Sequence, residues 1–314
     1  MATIRAVVVD GRARGRLAVR EVEAPKPGPG EALVRVKAIS LNRGEVRRAQ
    51  NAPAGAGIGW DLAGIVDAPA ANGTGPAAGQ RVVGLLPDRA WAELVPVPVQ
   101  ALAPLPNNVS FEQAATLPVA GLTALHALRK GGNVLGRNVL VTGASGGVGH
   151  LAVQLAVEAG ARVVGLVRQE AHVGPVRDAG AHEVVADETG EAARPYGPYH
   201  LVLESVGGEV LASALAMLAQ GGTCVHYGVS SGQTASINSA AFFRIGRVSL
   251  YGLYLFSELA VEPASVGLAT LAGLVANGRL RPFIEVEAPW TQVGEVAQQL
   301  MDRGYAGKAV LRVE

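Results

Sequence analysis

The 314-residue chain predicts an α/β protein of two parts, a β-rich domain and a domain built on a doubly wound parallel sheet. Three observations carry that expectation. At roughly 150 residues per domain, the length suits two domains. The first hundred residues hold short β-type runs broken by Pro and Gly, with no regular alternation with helices. From Asn138 onward, strand-length and helix-length segments alternate, which implies parallel βαβ units.

In the first part, Arg5–Val9, Leu33–Ile39, Leu62–Val66, Arg81–Leu85 and Ala92–Val95 are each of strand length and bounded by turn residues. Pro25, Pro27 and Pro29, with Gly28 and Gly30, form a rigid turn that no helix crosses. These runs read as an irregular, mostly antiparallel β domain. The pattern changes at Ser110, which with Gln113 makes a capping-box start for a helix over Phe111–Leu128, kinked near Pro118. Strand Val139–Thr142 then enters a glycine loop and a helix over Val148–Ala159. Strands follow at Arg162–Val167, Glu183–Ala186, Leu201–Glu204, Thr223–Tyr227 and Val248–Tyr254, with helices at Pro175–Ala179 and Val210–Leu218 between them. The tail predicts a helix over Ser265–Asn277, a strand, a helix over Val293–Met301 and a last strand, Lys308–Val313. The expected division is 1–115 with 256–314 for the β domain and 116–255 for the parallel-sheet domain.

Lys+Arg 27 against Asp+Glu 26 gives a net charge of +1, so no basic excess argues for a nucleic-acid partner. The mean hydropathy of +0.27 raises the question of a membrane span. The longest uncharged stretches, Val210–Phe243 and Asn138–Val157, are broken by glycines and hydroxylic residues, and neither reads as a spanning helix. Met1–Asp10 carries no cleavage site, so the expectation is a cytoplasmic protein without a signal peptide. The single cysteine, Cys224, excludes an intrachain disulfide and a multi-cysteine metal site.

The strongest local signal is the run from Val139 through Gly143, Ala144, Ser145, Gly146, Gly147, Val148 and Gly149. A buried strand enters a loop of small residues and leaves in an apolar helix. Such a loop lets the backbone approach a pyrophosphate, and the helix N-terminus offers it free N–H groups. The spacing Thr142, Gly143, Gly147, Gly149 also fits short-chain dehydrogenases. In those the loop lies near the N-terminus and a Tyr is followed four residues later by Lys; no tyrosine of this chain has that lysine. Cofactor choice is set about 20 residues beyond the loop. Arg168 stands there, and a guanidinium suits the 2′-phosphate of NADPH. Glu170, two residues on, suits the ribose of NAD instead. Gly228, Val229 and Ser230 follow a strand end of the same kind, and Val206 follows another; Val206, Gly228 and Ser230 complete the expected cofactor contacts.

Several motifs then line up in order: Asn42-Arg43-Gly44-Glu45, Gly59-Trp60-Asp61-Leu62-Ala63-Gly64, Gly79-Gln80-Arg81-Val82, Ala114-Ala115-Thr116-Leu117-Pro118, the Gly143–Gly149 loop, Glu204-Ser205-Val206-Gly207-Gly208 and Gly307-Lys308-Ala309-Val310-Leu311. End to end, the chain resembles the medium-chain dehydrogenase/reductase superfamily, in its zinc-free quinone oxidoreductase and enoyl reductase branch. The resemblance implies a GroES-like β domain, a Rossmann domain inserted within it, a cofactor cleft and a homodimer paired through the Val248–Tyr254 edge. Zinc-dependent members carry metal ligands at the positions of Asn42 and Trp60, so no metal is expected here. What it implies is hydride transfer from NADPH to a quinone or an α,β-unsaturated carbonyl. Hydrogen-bond donors then stabilise the developing oxyanion and a proton arrives from a side chain or water.

By the same resemblance Asn42 lines the nicotinamide cleft, where its amide donates to a carbonyl or orders the cofactor, and Tyr254 is a donor into that cleft or a packing residue at a subunit edge. Relatives carry a tyrosine soon after Asn42; here Arg47 and Arg48 occupy that stretch, and Arg47 offers a charge to an anionic or phenolic substrate. Asp61 reads as structural. Cys224 reads as an inert strand residue. The six histidines show no ligand-like spacing and read as surface or packing residues. The Asn51–Gly59 loop of small residues is compatible with a bulky aromatic substrate, which keeps a biosynthetic reductase or cyclase acting on a polycyclic substrate as a second reading. A non-catalytic NADPH-binding protein is the third.

Overall fold

The computed structural model describes residues Ala2 to Glu314. Its first segment holds β1 (Thr3–Val9), β2 (Leu17–Glu23), β3 (Glu31–Ser40), α1 (Arg43–Asn51), β4 (Asp61–Ala68), β5 (Arg81–Leu85), β6 (Leu94–Pro98), β7 (Leu102–Pro104) and α2 (Phe111–Ala115). A single π-helical turn, Leu117–Gly121, joins α2 to α3 (Leu122–Arg129). There follow β8 (Asn138–Thr142), α4 (Gly147–Glu158), β9 (Arg162–Val167), α5 (Val173–Asp178), β10 (Glu183–Ala186) and β11 (Tyr199–Glu204). Next come α6 (Gly208–Ala216), β12 (Leu218–His226), α7 (Ser239–Ile245), β13 (Ser249–Gly252) and α8 (Leu255–Glu258). The chain ends with α9 (Ala264–Ala276), β14 (Ile284–Pro289), α10 (Val293–Met301) and β15 (Lys308–Arg312).

Two compact units result, one of residues up to Leu122 with Leu259–Glu314, the other Thr123–Glu258. The divisions fall later than the sequence suggests, for identifiable reasons. Pro118 interrupts the ladder between α2 and α3 and is absorbed as the π turn. That turn is held to the first unit by the Val119 N–H donating to Asp61 Oδ1 at 2.9 Å and by Gly121 abutting Leu271. At the other division, Glu258 stays with the second unit through its 2.8 Å ion pair with Lys130.

The first unit carries a seven-strand sheet, in the order β14-β15-β3-β4-β5-β7 with β6 also paired to β3, and a separate β1-β2 hairpin. All its pairings are antiparallel except β14 with β15. Its core gathers Ile39, Leu62, Trp91, Trp290 and Val293, and burial of each such side chain stabilises the fold by about 1.5–3 kcal/mol. The second unit is a six-strand sheet in the order β10-β9-β8-β11-β12-β13, parallel throughout. On one of its faces Leu140, Val202 and Cys224 pack with Leu211, Ala214 and Leu215 of α6. The edge strand is shorter than the sequence suggests, Ser249–Gly252 rather than Val248–Tyr254, and the Leu253 N–H to the His226 carbonyl is the last rung of its ladder to β12. Among the described residues no helix is long and apolar enough to cross a membrane.

Candidate active site

In the second unit, β8 delivers the chain into a turn closed by the Gly146 N–H donating to the Gly143 carbonyl at 2.9 Å. Gly143 takes a φ of 57°, a left-handed conformation that suits glycine. Gly149 sits where a Cβ would come 2.2 Å from the Gly143 carbonyl oxygen, so only a bare backbone lets α4 start this close to the loop. The first N–H groups of this twelve-residue helix have no acceptor within it and carry its positive dipole end. Ser145, Gly146, Gly147 and Val148 are half-buried around that end. Ala144 and Gly149 are not: both are buried, and the Ala144 N–H is committed to the Leu166 carbonyl at 3.0 Å. Both shape the loop from within, and the Gly149 N–H is one of the helix-end donors.

The strand order reverses between β8 and β11, and ligands of such sheets bind at the carboxyl ends of the strands flanking that point. Ser205 is the hub there. Its N–H donates to Thr142 Oγ1 at 3.0 Å and its hydroxyl to the Thr142 carbonyl at 3.1 Å. Its carbonyl accepts from the Ser230 N–H at 3.1 Å, while the Val206 carbonyl accepts from Ser231 at 2.9 Å. A Cβ on Gly143 would meet Ser205 Oγ at 2.6 Å, and one on Gly228 would meet the Ser205 carbonyl at 2.8 Å. Three segments singled out in the sequence, Gly143–Gly149, Ser205–Gly208 and Gly228–Ser230, therefore converge. Arg168 is exposed, one residue past the end of the neighbouring strand β9, with Glu170 also exposed. Backbone donors at a helix end, bare glycine surfaces and an exposed guanidinium fit a phosphate-bearing dinucleotide.

One pair at this strand edge was not legible as a site. Glu204, the last residue of β11, is fully buried, and its Oε1 accepts from the Val206 N–H at 2.7 Å and the Gly207 N–H at 2.9 Å. Thr142 Oγ1 lies 3.3 Å from the same oxygen. The other oxygen, Oε2, is 2.5 Å from Nδ1 of His226, the last residue of β12, whose side chain is 24% exposed. The two residues are register partners in the parallel ladder, so their side chains leave the same face. The signal available in the sequence was positional, since each ends a parallel strand.

Tyr254 follows β13, is 66% exposed, and packs its ring against Phe256 at 5.6 Å between centroids. Tyr251 is engaged otherwise: its hydroxyl donates to Glu258 Oε1 at 2.5 Å and the Lys130 ammonium lies 4.6 Å from its ring. Cys224 is buried in β12, where burial pushes its thiol far up.

In the first unit, Asn42 caps α1, and the nine-residue helix carries Arg47 half-buried. The Asn42 side chain is not free to serve a substrate. Its Nδ2 donates to Glu45 Oε1 at 3.0 Å and to Asp61 Oδ2 at 2.8 Å, and its Oδ1 accepts from Lys308 Nζ at 2.7 Å. Because a lysine ammonium only donates, the orientation of the amide is fixed and both of its hydrogens are committed. This corrects the expectation of a donor to a substrate carbonyl. Around it Asp61 accepts from Ser40 Oγ at 2.9 Å and from the Val119 N–H, and Lys308 also reaches the Leu41 carbonyl at 2.9 Å. Glu45, Asp61 and Lys308 are all buried. Burial first, and the Asp61 carboxylate second, push the Glu45 carboxyl well above the usual range. Burial pulls the Lys308 amine below its ordinary value, while both carboxylates hold it up. One ammonium balances one carboxylate, and Asp61, with the fuller set of donors, is the ionised one. Glu45 Oε2 is buried without a hydrogen-bond partner. The sequence carried the Asn42–Glu45 capping spacing, and Lys308 only as a letter of the Gly307–Leu311 motif with no role attached. Trp60 lies over Gly44, where a Cβ would meet its ring at 2.7 Å. No group of three or more potential metal-ligating side chains occurs among the described residues.

Residues 28–107 match the alcohol dehydrogenase GroES-like domain family, and residues 147–269 match the zinc-binding dehydrogenase family. The chain is 25% identical over 342 residues to the acryloyl-coenzyme A reductase of Sulfurisphaera tokodaii, covering 98% of this chain and 100% of that one. It superposes on the Escherichia coli quinone oxidoreductase complexed with NADPH with a TM-score of 0.86 at 25% identity, over 98% and 99% of the two chains. It also superposes on an NAD-dependent alcohol dehydrogenase with a TM-score of 0.88 at 29% identity, over 99% and 100%. Together with the domain matches and the glycine loop, these likenesses establish that the chain belongs to the medium-chain dehydrogenase/reductase superfamily of oxidoreductases, on its zinc-free quinone oxidoreductase and enoyl reductase branch.

Proposed function

We propose that the protein is an NADPH-dependent reductase that transfers hydride to a quinone or an α,β-unsaturated carbonyl compound, working as a cytoplasmic homodimer. The observation that carries the reading is the convergence of the glycine loop, Ser205 and Gly228–Ser230 at the reversal point of the sheet, with Arg168 exposed at the end of the adjacent strand. The likeness to a quinone oxidoreductase holding NADPH supports it. The start of α4, with Ser145–Val148, would hold the pyrophosphate, Arg168 the 2′-phosphate, and Val206, Gly228 and Ser230 the nicotinamide half. The bound dinucleotide supplies the hydride; the protein's part is to bind, orient and exclude water. Arg47 on α1 and Tyr254 after β13 are the candidate substrate contacts. Support for the dimer comes from the open edge of the six-strand sheet, where β13 is exposed along its length, with Leu250 at 45% and the neighbouring Phe243 at 68%; such an edge calls for a cover.

A biosynthetic reductase or cyclase acting on a polycyclic substrate is the second reading. A 430 Å³ pocket within the first unit favours it, with Gly55, Gly57, Ile58, Leu86, Trp91 and Leu94 in its lining, a size within the range of small-molecule sites. The test is oxidation of NADPH and NADH at matched concentration against a panel of quinones and enones, with product analysis on polycyclic aromatic ketones. NADPH-preferring turnover is the expected result. Tight NADPH binding with no turnover on any acceptor overturns the reductase reading in favour of a non-catalytic one.

A further inference from the structure

Reduction of an unsaturated carbonyl needs a proton as well as a hydride, and the side chain expected to donate at the cofactor site, that of Asn42, has none to give. At the strand edge of the second unit the chemistry of a donor is present. Glu204 is fully buried, and three protein groups besides the histidine fix its carboxylate: two backbone N–H groups and the Thr142 hydroxyl. Its second oxygen holds Nδ1 of His226 at 2.5 Å. A carboxylate so placed makes Nδ1 the protonated nitrogen of the neutral ring. Nε2 is then the nitrogen left to exchange a proton, and the imidazole, unlike the carboxylate, is the open end of the pair at 24% exposure. It stands at the carboxyl end of β12, two residues before Gly228, in the stretch that converges on Ser205.

Resting on the reductase reading, we propose that His226, oriented by Glu204, is the proton donor for the α-carbon of an unsaturated carbonyl substrate. Hydride from the reduced dinucleotide, with its electron pair, forms a C–H bond at the β-carbon, and the displaced π pair moves onto the carbonyl oxygen as an enolate. The Nε2–H bond of the imidazolium breaks, its proton forms the C–H bond at the α-carbon, and the carbonyl is restored. The ring is left neutral with its Nδ1 proton still on the Glu204 bond, and water returns the Nε2 proton. The titratable groups beside it in the chain carry no competing charge. Cys224 and Tyr227 of the same strand are pushed up by burial and stay neutral, Thr142 of β8 is a hydroxyl, and the register partner on β13 is Gly252. Glu204 is a positioning residue; His226 performs the transfer.

The chemistry separates two substrate classes. Protonating an oxygen of a reduced quinone is fast from water, whereas protonating carbon needs a placed acid, worth roughly 10²–10⁴-fold. In His226→Gln, kcat with an enone is expected to fall about a hundredfold, a larger loss than kcat with a quinone shows. Nitrogen-15 NMR of the wild-type protein is expected to show neutral His226 protonated at Nδ1, a readout independent of turnover. Equal losses with both acceptors, an unchanged enone rate, or a neutral ring protonated at Nε2 each overturn the assignment while leaving the reductase reading intact. A wild-type protein that reduces no acceptor overturns that reading and the assignment with it.

Discussion

The buried polar cluster of the first unit makes a sharp prediction, because two carboxylates a few ångströms apart should respond oppositely to the same chemical change. Asp61→Asn and Glu45→Gln each replace a buried carboxyl with its neutral isostere. Asp61 is the anion facing Lys308, and its Oδ2 alone accepts from Ser40 and Asn42 at 2.9 and 2.8 Å, with the ammonium at 3.5 Å. An asparagine removes the anion facing that ammonium and sets an amide N–H₂ against the Asn42 and Val119 N–H groups, which only donate. Breaking a buried pair in this way costs about 3–5 kcal/mol, a large share of a typical stability of about 5–15 kcal/mol. Glu45 is the protonated partner. A glutamine keeps the Oε1 acceptor for the Asn42 backbone and side chain, at 2.6 and 3.0 Å, and changes stability at pH 5 by no more than about 1 kcal/mol. The sign of the pH dependence follows from the raised folded-state value. Stability from Glu45 is fully present below the unfolded value of 4.5 and is lost as pH rises toward the folded-state value, at about 1.4 kcal/mol per pH unit. Lys308, lowered on folding, acts in a window below its unfolded value of 10.5: stability there is lost as pH falls through its folded-state value. Glu45→Gln removes only the carboxyl contribution, so the variant gains on the wild type from pH 5 to pH 8. Tm of the three proteins by calorimetry across that range is the measurement. If Glu45→Gln tracks the wild type with the same slope, or is as damaging at pH 5 as Asp61→Asn, the protonation assignment is wrong.

Three further outcomes are expected. Arg168→Ala should weaken NADPH binding about tenfold and leave NADH binding nearly unchanged, read by cofactor fluorescence titration; equal losses for both would sink the 2′-phosphate assignment. Gly149→Ala drives a methyl group to 2.2 Å from the Gly143 carbonyl, so it should cost about 1–3 kcal/mol in stability and weaken both dinucleotides alike, checked by Tm and the same titration. Leu250→Asp puts a charge on the exposed edge strand β13 and should convert the dimer to monomer in light scattering at micromolar concentration. A wild-type chain that is already monomeric there refutes the pairing.

The parts of the fold that the sequence made legible share one property: their hydrophobic period is local and cleanly bounded. Strands β5, β9 and β10 and helix α10 begin and end where their apolar runs and turn residues place them. β2 escaped because Leu17–Glu23 carries exposed Arg20, Glu21 and Glu23 on both faces, and only pairing with β1, Val9 to Leu17 through Thr3 to Glu23, makes it a strand. α1 escaped because Gly44 and three arginines mask a stripe of just Val46 and Ala49, anchored by a capping residue two of whose partners, Asp61 and Lys308, lie elsewhere in the chain. The site divides along the same line. The glycine loop is a local strand–turn–helix and was readable, though the left-handed turn at Gly143 came only with the structure. The fate of Asn42 was not, since it depends on Lys308, 266 residues away.

That distinction also bears on how a family resemblance carries over. The Asn42 position passed on its motif letters, yet here Asp61, Glu45 and Lys308 turn the amide inward as the keystone of a buried ionic cluster. A side chain whose hydrogens are both committed cannot also stabilise an oxyanion by donating to it, so stabilisation and protonation must come from groups that still have a proton to offer. His226 meets that requirement where a resemblance alone would overlook it: nothing in the motif letters marks a histidine at the end of β12, and only its register partner Glu204 makes it an oriented acid rather than a packing residue. The useful unit of inference in this fold is therefore the pair of strand-end residues in register at the carboxyl edge of the parallel sheet. The backbone ladder places two such side chains side by side on one face, and burial of one fixes the chemistry of the other.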